Sequence, residues 1–415
     1  MSRGRSTRFM VPCPFPTSDV VLDEKSKAIR SVKSPVGTGR YDVEILGPEE
    51  IPEVLSIDAW EDLRRQSRNP DTLYQSALWW DHLCRVEPPD HLYVAVVNDT
   101  QNGAIVGVVP LLYHLYRFEL RAKNHTLFRA ELSAVAVLGS EPLVPSRDDV
   151  YERLVDSIWS HIPQCNCIYL RSVDADGSFA RFLENTREIR KLCIVYAPEG
   201  RRTRHFIELP ETFEQYLAKF HSRTRHTFRK QLRQLREHTR GTLELVRVDS
   251  EAQVEEFLTA VKYVSSGSWQ HTRAGVRLEN DPARCDRMID LARRGVLRSY
   301  LLASRTERYA FMIGCQHGGV YHTITTGYDQ ALRQWSPGKI LHYLLIEDLI
   351  EHDRPRLLNF DLGDMSYKEL FGSVHAPDLG FLLLRKQWRN HLLVAGHASM
   401  RKSLGFLKRL SRRSR

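Results

Sequence analysis

The chain has 415 residues, 42 % apolar and 27 % charged, and 60 Lys+Arg against 51 Asp+Glu leave a formal net charge of +9. Such a composition fits a globular protein of two or three domains and excludes a chain disordered throughout. No stretch reaches the ~18 uncharged apolar residues of a membrane-spanning helix, and the first thirty residues hold no apolar run of the kind a secretion signal needs.

The positive charge is concentrated. Lys219 to Arg240 holds eight Lys/Arg against Glu237 alone, and Arg401 to Arg415 holds seven with no acid. The rest of the chain is therefore acidic on balance, which argues against a whole-protein nucleic-acid surface and makes nucleic acid an unexpected partner. Seven cysteines are scattered along the chain. Only Cys165 and Cys167 are close, and Cys-x-Cys is not the Cys-x-x-Cys of zinc or redox sites. Buried free thiols in a reducing, cytoplasmic setting are the expectation, with no metal.

In chain order, 1–40 is rich in Pro and Gly without periodicity and reads as a flexible leader. Alternation over Tyr41–Leu46 predicts the first strand, and a helix follows. A strand pair is expected at Leu92–Val97 and Ala104–Leu112, then Pro145, a striped helix over 148–161 and a strand at Ile168–Val173. About two hundred residues later the same order returns. It starts from Leu243-Glu-Leu-Val-Arg-Val, passes a strand pair at Ser299–Ser304 and Tyr309–His317, and ends on Pro337-Gly338, a helix over 339–352 and a strand at Leu357–Leu362. The repetition predicts two copies of one α/β domain. Between them, Phe213, Tyr216, Leu217, Phe220, Thr224, Phe228, Leu232 and Leu235 predict one long helix over about 211–238, with Arg and Lys on much of its remaining surface.

Two segments carry chemistry. Tyr321 to Gln330 reads as a strand ending irregularly at Gly327, followed by a short loop and Pro337-Gly338-Lys339 at a helix start. Free N–H groups and the positive end of a helix dipole there suit a phosphate or pyrophosphate, with Arg333 and Lys339 alongside. A plain strand-loop-helix connection fits the same residues. The second segment is Asn359-Phe-Asp-Leu-Gly-Asp-Met-Ser-Tyr-Lys, where Asp361, Asp364, Tyr367 and Lys368 follow the end of a strand. A carboxylate there can take a proton from an attacking amine, and a Tyr hydroxyl or Lys ammonium can stabilise a departing charge. A solvated turn with an Asp cap is the alternative.

The order of the basic helix, Ser265-Ser-Gly-Ser-Trp269, Tyr328-Asp329, Ser336-Pro337-Gly338 and Asp361-Leu-Gly-Asp-Met-Ser-Tyr367-Lys368 resembles one family. This is the GNAT-superfamily acetyltransferases of the BioF2-like or cellulose-biosynthesis type, relatives of the Fem aminoacyltransferases, and the likeness covers about 41–385. It implies tandem GNAT-like domains, each a central mixed sheet flanked by helices, at 41–200 and 201–385, with a basic amphipathic tail at 386–415. The second copy would be catalytic and acetyl-CoA or another acyl-CoA the donor. Gly327, Tyr328, Arg333, Pro337, Gly338 and Lys339 would meet the donor, and Asp361, Asp364, Tyr367 and Lys368 would carry the transfer. Trp269, His271, Arg225 and Arg229 would meet substrate. Two departures stand out: Gln270 follows Trp269 where the family commonly has Lys, and Ser336 stands in the loop where Gly is typical.

The resemblance implies an acyl-CoA-dependent N- or O-acyltransferase acting by direct transfer on a small-molecule or saccharide acceptor, in exopolysaccharide or cell-envelope biosynthesis. A non-catalytic GNAT pair and an aminoacyl-tRNA-dependent transferase are the alternatives. The basic helix admits three readings: a solvated face, a grip on a phosphorylated donor, or a grip on tRNA. The 401–415 tail admits two, a solubilising tail or contact with an anionic membrane at about 1 kcal/mol per basic residue.

Overall fold

The structure, a computed structural model, describes residues 39–67, 72–122, 125–139, 141–268, 282–362 and 365–413. The strands number in chain order as β1 (Tyr41–Leu46), β2 (Leu92–Asp99), β3 (Ala104–Ala122), β4 (His125–Val137), β5 (Cys167–Asp174), β6 (Cys193–Tyr196), β7 (Arg202–Glu208), β8 (Glu244–Val248), β9 (Ser299–Ala303), β10 (Arg308–His317), β11 (Val320–Tyr328), β12 (Leu357–Asn359) and β13 (Val374–Arg385). The chain forms two compact units. Among the described residues, one holds 39–202 together with Pro377–Arg415, and the other holds Thr203–Ala376.

In the first unit, β1, β2, β3 and β4 pair antiparallel in sequence order, β4 pairs parallel with β5, and β13 pairs antiparallel with β5 and β6. The parallel step requires a crossover, which the helix Asp148–His161 supplies. Its Val150, Tyr151, Leu154, Val155, Ile158 and Trp159 make one buried stripe against Val109, Val135 and Ile168 of the sheet. The second strand of the expected pair runs ten residues further, to Ala122. Tyr116 and Phe118 on β3 and Leu132 on β4 have a core of their own to enter, shared with Leu382 and Leu384.

The second unit repeats the plan. Strands β8, β9, β10 and β11 pair antiparallel in that order, β11 pairs parallel with β12, and β7 pairs antiparallel with β12. Here the crossover is the helix Pro337–Asp348, with Ile340, Leu341, Leu345 and Ile346 buried. Its last residues, Leu349–Asp353, widen into a π turn.

Two expectations on local structure are corrected. The single helix over 211–238 is two, Phe213–Ala218 and Ser222–His238, with extended backbone at His221 (φ −57°, ψ 150°) between them. A straight helix would carry its aromatic residues along one line. The break lets Phe220 and Phe228 meet at 5.2 Å and lets Phe228 stack on Phe371 while Phe213 meets Tyr343. The strand expected to run to Leu362 stops at Asn359, because Asp361 takes a left-handed backbone (φ 57°) and its N–H donates to the Asn359 side chain at 3.0 Å.

Candidate active site

The site grows from the parallel pair of the second unit. Strands β11 and β12 pair over only three residues, Val320–His322 against Leu357–Asn359. Past His322, β11 continues to Tyr328 with β10 as its partner strand, Gly327 opposite Phe311 and Tyr328 opposite Ala310. The irregularity expected at Gly327 lies instead at Ile324, the extra residue of β11 between Thr325 and Thr323, which pair with the consecutive Ile313 and Gly314 of β10. Strand β12 has meanwhile turned away at Asp361. Over 323–328, β11 therefore runs on past the end of its pairing with β12.

Strand β11 ends on Tyr328 and Asp329. The Asp329 carboxylate accepts from the Ala331 N–H and lies where a side chain on Gly267 would be, while the Gln330 N–H donates to the Gly267 carbonyl at 3.1 Å. The Ser-Ser-Gly-Ser segment and the Tyr-Asp turn, separate in sequence, thus pack together. Glycine at 267 is what permits so close an approach.

After the loop 330–335, Ser336 adopts φ 53°, ψ 44° and caps the helix Pro337–Asp348. An ordinary residue pays about 1–2 kcal/mol for that left-handed conformation, which glycine takes freely. Serine therefore holds here a backbone shape that favours glycine. Its hydroxyl accepts from Gln231 of the basic helix at 3.0 Å, and Trp335 stacks on His238 of the same helix with ring centroids 4.4 Å apart. The first helical turn contains no acidic residue. Arg333 and Lys339 are exposed beside it, and Gly338 leaves room for the Tyr328 ring, 3.2 Å from where a Cβ would sit. A helix start of this kind, cationic and without a carboxylate of its own, fits the phosphate groups of a CoA thioester.

Beyond Asp361 the second cluster assembles. Lys368 is buried, 4 % exposed, and its Nζ donates to the carbonyls of Asp361 at 3.0 Å and Leu362 at 2.6 Å. The ammonium therefore braces the left-handed turn. Tyr367, partly buried in the core, keeps its hydroxyl proton well past neutral pH: burial raises its pKa most, and the Asp361 charge raises it further. The short helix that carries both, Ser366–Phe371, is held at its end by the Tyr216 hydroxyl, which donates to the Phe371 carbonyl at 2.8 Å, and by Lys219, which donates to the carbonyls of Phe371 and Gly372.

His342 links the two clusters, and reading the sequence did not find it. It is 3 % exposed and lies one turn beyond Gly338, whose carbonyl is 2.6 Å from its Nδ1. Its ring lies 4.6 Å from the Tyr367 ring and stacks on Phe371. Burial, aided by the Lys368 charge, lowers its pKa to about 4, so the imidazole is neutral at physiological pH. With Nδ1–H donating to Gly338, Nε2 carries a lone pair, and among the described residues it has no hydrogen-bond partner. The available signal was a polar residue within Ile340-Leu-His-Tyr-Leu-Leu, four places after Gly338.

The structure thus gathers Asp361, Tyr367, Lys368 and His342 around one turn, and Tyr328, Arg333, Pro337, Gly338 and Lys339 around the preceding loop. Arg229 is exposed near Tyr343, and Arg225 is half-buried on the same helix. Trp269, His271 and Asp364 lie outside the described residues. Cys165 and Cys167 are free and buried, with burial pushing the Cys165 thiol up to about 11. Among the described residues no group of three or more His, Cys, Asp or Glu could hold a metal, and no helix is long and apolar enough to cross a membrane.

Residues 222–369 match the acetyltransferase (GNAT) domain family. No curated protein sequence matches the chain. Among solved structures, that of FemX is similar at 10 % identity over 82 % of this chain and 98 % of that chain, with a TM-score of 0.54, a likeness of fold alone. A tandem GNAT protein from the clavulanic acid biosynthesis pathway is 12 % identical over 83 % of this chain and 98 % of that chain, with a TM-score of 0.48. The C-terminal domain of a putative lysylphosphatidylglycerol synthetase from Agrobacterium fabrum is 11 % identical over 83 % and 95 %, with a TM-score of 0.44. Residues 222–369 thus match the GNAT acetyltransferase domain family, within a chain of tandem α/β units whose fold is similar to that of FemX.

Proposed function

We propose that this acyltransferase takes its acyl group from acyl-CoA, acetyl-CoA first among the candidates, and passes it directly to an amine or hydroxyl of a small-molecule or saccharide acceptor. Exopolysaccharide or cell-envelope biosynthesis is the setting the family resemblance suggests. The observation that carries the reading is the divergence of β11 from β12 after His322, which leads to an acid-free helix start. The donor's amide-bearing arm runs along β11 beyond His322, and its phosphates meet the Gly338 N–H and the cations Arg333 and Lys339. This places the thioester beside Gly327 and Tyr328, near the turn at Asp361.

In the transfer, the acceptor's lone pair attacks the thioester carbon and the carbonyl oxygen takes the electron pair. Backbone N–H groups near Gly327 stabilise that oxygen. Collapse breaks the C–S bond. The acceptor's proton passes to the Asp361 carboxylate, directly or through water, and the protonated Tyr367 supplies a proton to the leaving thiolate. Lys368 holds the turn that presents Asp361. No covalent enzyme intermediate is required.

The test is thiol release from acetyl-CoA with a panel of amino sugars, simple amines and hydroxyl acceptors. Lys368→Ala should abolish turnover while circular dichroism shows the fold retained. Turnover at the wild-type rate by the folded variant would remove Lys368 from the site. Donor binding without thiol release across the panel would point to a non-catalytic GNAT component. Saturable binding of aminoacyl-tRNA in place of acetyl-CoA would change the donor.

A further inference from the structure

The chain from Lys386 to Arg415 contains nine Lys/Arg and no acidic residue, and Trp388–Arg413 within it is a single helix. One face of this helix is satisfied within the first unit. The Asn390 side chain donates to the Arg385 carbonyl at 2.8 Å, and Leu393 and Val394 pack with Phe118 and Leu382. His397, fully buried, meets the Tyr196 hydroxyl at 2.7 Å, and Arg401 donates to the carbonyls of Pro198 and Glu199.

Among the described residues, the opposite face exposes an apolar stripe that Ser399 interrupts. Trp388 is 68 % exposed and Leu392 63 %, with Ala395 also exposed. At about 3.6 residues per turn these three fall within a stripe roughly 60° wide, turned away from the docked residues. Arg389 lies over the Trp388 ring at 5.5 Å, and Lys402 is exposed further along. In the sequence, Phe406 and Leu410 occupy the positions five turns beyond Trp388 and Leu392.

We propose that this face is a peripheral membrane-binding surface whose partner is an anionic lipid bilayer. Acid-free cationic charge matches lipid phosphates, while Trp and Leu enter the interface beneath them. A second copy of the chain is a poor occupant, because pairing these helices would bring two acid-free cationic segments together. Nucleic acid would engage the cations but leave the apolar stripe without a partner. The contact begins at Trp388, upstream of the 401–415 segment that charge alone marks out.

The experiment is sedimentation of the full chain with phosphatidylcholine vesicles and with vesicles carrying about one third phosphatidylglycerol, at low and high salt. The anionic vesicles should bind the protein, salt should weaken the binding, and Trp388→Ser/Leu392→Ser should weaken it by about tenfold or more. Both residues are exposed, so thermal unfolding of the double variant should match wild type. Absence of binding to anionic vesicles, or binding that the double substitution leaves unchanged, overturns the proposal. So does a wild-type dimer in solution that the substitution dissociates, which would assign the face to a second copy.

Discussion

In the first unit, the parallel strands β4 and β5 stay paired to the last residue of β4, Ala134–Val137 against Cys167–Leu170. In the second, β11 and β12 part after three pairs and six residues of β11 run on without a β12 partner. The helix that follows differs in the same sense. The helix Asp148–His161 opens with Asp148 and Asp149, and Arg147 folds onto Asp149 at 2.9 Å, holding that carboxyl below its ordinary range. Its dipole is answered by its own side chains. The helix Pro337–Asp348 opens with Pro, Gly and Lys. One framework therefore occurs twice, its helix start answered by acidic side chains in one unit and free of acidic residues in the other.

The comparison breaks most visibly at the chemistry. Tyr367→Phe removes one hydroxyl from the second unit and should lower turnover by about 10²–10⁴-fold while leaving donor affinity within about twofold. Steady-state kinetics beside calorimetry checks both. A variant that keeps its rate would show that Tyr367 only packs against His342.

Next in size is a pH effect on stability. The folded-state pKa of His342 is lowered to about 4, so the unfolded chain binds the proton more readily. Stability from this residue is complete above its ordinary value near 6.5 and is lost progressively as pH falls toward 4. The loss is about 2 kcal/mol at about pH 5 and approaches about 3 kcal/mol below pH 4. Urea unfolding at neutral and mildly acidic pH should show a smaller difference in His342→Phe than in wild type. An equal difference would mean that the acid sensitivity resides elsewhere.

The smallest change should follow Ser336→Gly. Relief of the left-handed backbone offsets the greater freedom of glycine in the unfolded chain and the lost bond from Gln231, so stability should stay within about 0.5 kcal/mol. Donor affinity should be unchanged. A loss above about 2 kcal/mol would show the hydroxyl, rather than the backbone shape, holding the loop.

Much of this framework is legible in the sequence. The helix at 148–161 has a complete apolar stripe, and the element order around it returns near Leu243. The site's decisive features are harder to read. How far β11 stays paired depends on where its partner turns away, which no residue of β11 records. Ser336 and Asp361 take left-handed backbones without the glycine that would announce them. The break at His221 has neither Pro nor Gly, and only the convergence of aromatic residues on Phe371 explains it. His342 was hidden because its neighbours are apolar, yet burial is what keeps its imidazole neutral.

The central claim is that the acid-free helix start of the second unit holds the donor and the acidic one of the first does not. Isothermal titration of acetyl-CoA into wild type, Lys339→Glu and Asp149→Asn tests it most directly. One site per chain is expected, weakened about tenfold by Lys339→Glu and unaltered by Asp149→Asn. Two sites per chain, or binding indifferent to the reversal at Lys339, would contradict it.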